Sequence, residues 1–178
     1  MKGNDVLLLG KLLLFNSKWT YQSMGDMLSL SPSRIFDSTK VLIEAKLLFE
    51  SYNLETNEAL LKPSKKNALE FLFHGFKYIF PMVQKIECRG VPAFVSANII
   101  SENFQDSNKG YVWPYALANN SGIAITPFHK NVPEIALKDK SMYLFCACLD
   151  CIRGSNAREK EVGEKTLANL LEEKLQNE

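Results

Sequence analysis

Residues 20–48 constrain the fold more than any other stretch of the chain. Thr20 precedes a short helical segment, Tyr21 to about Leu28, which Ser29-Leu30-Ser31 interrupts. Ser31-Pro32 then reads as a new start, because serine caps helices and proline suits the first helical position. Met24, Leu28, Leu30 and Ile35 fall where apolar side chains lock two crossing helices, and Gly25 falls where their backbones approach. This spacing is that of a helix-turn-helix; an ordinary helical hairpin in a core is the alternative. The third helix is expected to reach about Lys46, with Ile35, Phe36, Thr39, Leu42 and Ile43 inward. Upstream, Asn4 is expected to cap a buried helix from Asp5 to Phe15. Downstream, Leu47 to Tyr52 suits a short strand and Asn53 to Asn57 a turn. Three helices followed by an apolar strand extend the reading to a winged helix.

The rest of the chain reads less regularly. Ser64 is expected to cap a helix from Lys65 to about His74, with Gly75 as its stop. Phe76 to Thr126, rich in aromatics, Gly, Pro and Asn, predicts irregular segments with short strands, one being Gly122–Thr126. Asp139 should cap an apolar helix, Lys140 to about Arg153, followed by a turn at Gly154-Ser155-Asn156. A final helix from Ala157 to about Leu175 gathers Val162, Leu167, Leu170, Leu171 and Leu175 on one face. That face is expected to serve a homodimer, or to lie back on residues 139–153. The expected fold class is α+β, mainly helical. It comprises a winged helix-turn-helix over residues 1–62 and an α+β region over 63–178 ending in two helices, for a partner, an effector or dimerisation.

Composition sets limits on function. With 46% apolar and 23% charged residues, the chain excludes a disordered protein, a collagen-like fibre and a membrane-embedded bundle. Its 21 Lys+Arg against 20 Asp+Glu give +1, so any nucleic-acid contact must come from a local patch. The apolar run Val6–Phe15 imitates a secretion signal, but Lys11 interrupts it and no small-x-small cleavage site follows before Trp19. Cys88 stands apart while Cys146, Cys148 and Cys151 crowd together, which is no disulfide framework and predicts a reducing, cytoplasmic setting.

Trp19-Thr20-Tyr21, Met24 through Ile35, and Leu42-Ile43-Glu44-Ala45-Lys46-Leu47-Leu48 together resemble bacterial winged-helix transcriptional regulators, broadly MarR-like. Further stretches are similar to a companion region of some bacterial regulators. They are Glu70–Gly75, Tyr78-Ile79-Phe80-Pro81, Trp113-Pro114, Leu149–Gly154 and Ala157-Arg158-Glu159. The resemblance implies a regulator of transcription, read here as a repressor, whose third helix enters the major groove of double-stranded DNA, with nothing catalytic. The competing expectation is an antitoxin-like or adaptor protein whose winged helix and C-terminal region bind a partner protein.

The side chains expected to reach the groove are Ser31, Ser33, Arg34, Asp37 and Ser38, with Lys40 nearer the backbone. Asp37 can accept from cytosine N4. Thr20, Tyr21 and Gln22 are placed to position a phosphate, and Lys62, Lys65 and Lys66 to contact phosphates on the wing side. Few basic residues stand on the third helix, and residues 1–66 hold nine Lys/Arg against seven Asp/Glu, which keeps the partner-binding alternative in play. His74, Asp150, Arg153, Arg158 and Glu159 form a candidate network, structural or for a partner or ligand. On a helix Cys148 and Cys151 share a face while Cys146 points away, so the cysteines are expected to pack in a core and to hold no metal. Trp113-Pro114, with Tyr111 and Tyr115, suggests an aromatic cluster in a core or a pocket. No phosphate-cradling loop, nucleophile elbow or zinc motif occurs, so neither cofactor nor enzymatic activity is expected.

Overall fold

The computed structural model describes residues 1–15, 17–53, 58–94, 110–154 and 156–176. It is a mixed α+β structure dividing into two compact units, Met1–Phe71 and Leu72–Glu178. The first unit thus includes Pro63 to Phe71, beyond the expected limit at residue 62.

In the first unit, α1 (Gly3–Leu14) begins before the expected Asn4 cap, at Lys2, whose N–H donates to the Asp5 carboxylate at 2.6 Å. The helix is buried on almost every side. Thr20 caps α2 (Tyr21–Leu28), its hydroxyl accepting from the Ser23 N–H at 3.0 Å. The chain then reverses through Ser29, which takes the left-handed conformation at φ 52°. Leu30 N–H closes the turn on the Gly25 carbonyl at 2.9 Å.

Pro32 opens α3 (Pro32–Glu44), which stops short of Lys46 because Lys46 turns left-handed at φ 59°. Its buried stripe is Ile35, Ser38, Thr39 and Leu42. Phe36 and Ile43, expected inward, flank that stripe instead; Phe36 is 43% exposed and Ile43 half-buried. At about 100° per residue, the two lie on one side of the Ile35–Leu42 line. Thr39 tolerates burial because its hydroxyl donates to the Ile35 carbonyl at 2.9 Å.

Two antiparallel strands follow, β1 (Leu48–Asn53) and β2 (Glu58–Pro63), pairing Leu48 with Pro63 and Asn53 with Glu58. Beyond Asn53, the expected turn lies outside the described residues. Ser64 caps α4 (Lys65–Glu70), as its sequence implies. Gly75 does not stop the helical path: a π-helical turn, Phe71–Gly75, leads into α5 (Phe76–Ile79). Gly75 has right-handed helical angles, φ −97° and ψ −35°, so it lacks the left-handed geometry of a terminating glycine.

The second unit holds three mutually paired strands. β3 (Gln84–Pro92) runs antiparallel to both β4 (Tyr111–Pro114) and β5 (Asn120–Ile125), while β4 and β5 are parallel. Sequence reading found β5 but neither the nine-residue β3 nor α6 (Val132–Lys138). Asp139 caps α7 (Lys140–Arg153), its carboxylate accepting from the N–H groups of Ser141 and Met142 at 2.9 and 3.0 Å. Of the expected turn Gly154-Ser155-Asn156, Ser155 lies outside the described residues.

α8 (Ala157–Gln176) packs along α7. Gly163 permits the approach, since a Cβ there would stand 2.6 Å from the Cys151 Cβ and 2.9 Å from the Cys148 carbonyl oxygen. Leu167, Leu170 and Leu171 are buried and Val162 is half-buried; the Leu175 side chain lies outside the described residues. The apolar face expected to meet a second copy is therefore largely covered within one chain. No helix among the described residues is long and apolar enough to cross a membrane.

Candidate functional site

The α2–turn–α3 segment presents α3 with one face fastened and the other open. Inward, Ser38 donates its hydroxyl to the buried Asp5 carboxylate of α1 at 2.6 Å. Ser38 therefore cannot be a groove-reading residue, contrary to the sequence expectation, because its hydroxyl satisfies a buried carboxylate that would otherwise lack this bond. Outward, Ser31, Ser33, Arg34, Asp37 and Lys40 are all exposed. The hydroxyls of Ser31 and Ser33 lie 3.1 Å apart. The side chains of Arg34 and Asp37 make no hydrogen bond or ion pair with another described residue, so both can turn toward a ligand.

At the start of α2 the three expected phosphate contacts have different standing. The Thr20 hydroxyl is occupied as the cap. Gln22 donates its side-chain amide to Asp26 at 2.9 Å. Tyr21 is exposed and meets Phe36 edge-on, with ring centroids 5.5 Å apart and planes at 89°. Lys40 places its ammonium 4.2 Å from the Phe36 ring centroid. These three residues, with Thr39, Ile43, Glu50 and Leu61, line a cleft of about 340 Å³ that reaches from α2 and α3 to the β1–β2 hairpin. Lys62 follows Leu61 on β2 and is exposed, as is Lys66; Lys65 is half-buried. Sequence reading missed the cleft-lining roles of exposed Phe36 and Glu50 and of half-buried Leu61. For Phe36, the visible signal was its position next to Ile35, off the strict inward stripe.

The second candidate constellation separates into a buried knot and a scatter of surface groups. Arg153 and Asp150 pair at 2.7 Å with almost no exposure, and Trp113 of β4 donates its indole N–H to the same carboxylate at 2.7 Å. Arg153 also donates to the carbonyls of Phe80 and Thr126, at 3.3 and 2.6 Å. Burial pushes the Asp150 carboxyl above its ordinary range, with Arg153 and the indole N–H pulling the other way. His74, in contrast, is exposed and packs edge-on against Phe73, while Arg158 is exposed and Glu159 half-buried. The knot is thus Trp113–Asp150–Arg153; the indole was its unforeseen member, since sequence reading grouped Trp113 with aromatics only.

Cys146, Cys148 and Cys151 are free thiols buried in α7, and burial pushes Cys148 up to about 12. Cys88 is half-buried on β3. Among the described residues no three His, Cys, Asp or Glu side chains are grouped to hold a metal ion. No family model matches the chain, and no curated protein or solved structure matches it.

Proposed function

We propose that the first unit is a winged helix-turn-helix that binds double-stranded DNA, with α3 in the major groove and the β1–β2 hairpin on the backbone, and that the chain regulates transcription. The observation that carries this reading is the geometry of the α2–α3 turn. Gly25 admits the Leu30 carbonyl to where a Cβ would stand 2.5 Å from its oxygen, Ser29 reverses the chain, and α3 emerges with its outer face exposed. A helix held on one side and bare on the other, followed by an antiparallel hairpin, has the dimensions of a groove reader. Arg34 would pair with guanine, Asp37 with cytosine N4, and the serines with either partner. Lys40, Lys62 and Lys66 would take phosphates. Two copies on half-sites about one helical turn apart would raise the modest affinity of one helix. Leu167, Leu170 and Leu171 of α8 are buried within the chain, so that pairing would draw on other surfaces or on the rest of α8.

The test is an electrophoretic shift with the full chain, using duplexes from its own upstream region and from a random library, at two salt concentrations. Specific retention that weakens with salt supports the reading; no retention at low salt removes it. A second reading, a partner-protein module, draws on Phe36 and Phe49, which are 43% and 47% exposed. Retention of no duplex would move the function to that class.

A further inference from the structure

Resting on the DNA-binding reading, we infer that Phe36 determines sequence specificity, selecting a thymine through its 5-methyl group in the major groove. Ser33, Phe36, Asp37 and Lys40 follow the spacing i, i+3, i+4, i+7, so they share one face of α3, and all four are exposed. Three of them are hydrogen-bonding or charged groups suited to base edges and phosphates. Phe36 is the exception, an aromatic ring 43% exposed on a helix whose inner stripe has room for a buried serine and threonine.

The ring is held in place from two sides. Tyr21 abuts it edge-on at 5.5 Å, and the Lys40 ammonium stands 4.2 Å from its centroid. A side chain fixed before binding loses little rotamer freedom on contact, so even a small apolar surface registers as affinity. The major groove offers such a ring one apolar mark, the thymine methyl, which cytosine and both purines lack. Charge strengthens the case: on α3, Arg34 and Lys40 are balanced by Asp37 and Glu44. Phosphate attraction there is correspondingly small, and discrimination must come from base edges. The recognised half-site therefore combines one thymine, met by Phe36, with a neighbouring polar base edge met by Arg34 or Asp37.

The experiment uses the full chain and a random duplex library. After enrichment, each thymine of the selected duplex is replaced in turn by deoxyuridine, which removes only the methyl, and affinities are compared at fixed salt. At one thymine the wild-type chain should lose about four-fold, the value of one buried methyl-sized group. Phe36→Ala should bind the two duplexes equally, and Phe36→Leu should keep the preference; thermal melts by circular dichroism establish that both variants fold. Equal binding of thymine and deoxyuridine duplexes by wild type, or a four-fold preference retained in Phe36→Ala, overturns the inference while leaving DNA binding intact. Failure to enrich any duplex overturns the DNA-binding reading and this inference with it.

Discussion

A single added carbon at Gly25 meets backbone rather than a movable side chain, the Leu30 carbonyl oxygen standing 2.5 Å from its place. The turn would have to open, and overpacking of this kind typically costs about 1–3 kcal/mol. Gly25→Ala is expected to lower the urea midpoint and Gly25→Leu to lower it further; a Gly25→Leu chain as stable as wild type would contradict the close approach. Ser38 is the complementary case. Ser38→Ala removes one of the two bonds accepted by the buried Asp5 carboxylate and should destabilise by about 1–3 kcal/mol, read from the same denaturation curves. Thiol chemistry gives a third residue-level outcome. With Cys146, Cys148 and Cys151 buried and their thiols held protonated, alkylation of the folded chain at mildly alkaline pH should label Cys88 first, as peptide mass mapping would show.

At the scale of elements, the Trp113–Asp150–Arg153 knot ties β4 to the last turn of α7. Asp150→Ala leaves a buried guanidinium without its carboxylate, a loss of about 3–5 kcal/mol, measured by urea denaturation. Because folding raises the Asp150 pKa, the native state binds its proton more tightly than the unfolded chain does. This residue's contribution to stability is therefore greatest below the ordinary carboxylate range and declines as pH rises through the raised value. Asp150→Asn should flatten that part of the pH–stability curve. Which elements could be read in advance follows from where their causes lie. Asp139 and the apolar run behind it made α7 legible, and Pro32 at the first helical position did the same for α3, although the Ser31 hydroxyl makes no cap bond, because such signals and periodicity are local. The strand β3 was hidden: Gln84 to Glu87 face solvent and its pairing with β5 shifts register there, so alternation is lost. Ser38 and Phe36 exchanged their expected sides because Asp5, 33 positions away, rewards a buried hydroxyl. The Trp113 bond to Asp150 spans 37 positions and leaves no mark in either local pattern.

For the whole molecule, a formal charge of +1 supplies little long-range steering, so on the proposed DNA-binding reading the salt dependence is set by the lysines that meet phosphates. Each lysine on a phosphate contributes about one unit to the slope of log affinity against log salt. Lys66→Ala is accordingly expected to reduce that slope by about 1 while leaving the preferred sequence unchanged; titrations at several salt concentrations check it. The two tryptophans of the chain fall one in each compact unit, Trp19 in the first and Trp113 in the second. Trp19 is half-buried, whereas Trp113 is wholly enclosed with its N–H on a carboxylate. The protein thereby contains two built-in optical reporters with different access to solvent. Iodide should quench the emission of Trp19 and spare that of Trp113, and a Trp19→Phe chain would give a signal from the enclosed indole alone, through which loosening of the second unit can be followed without an added dye.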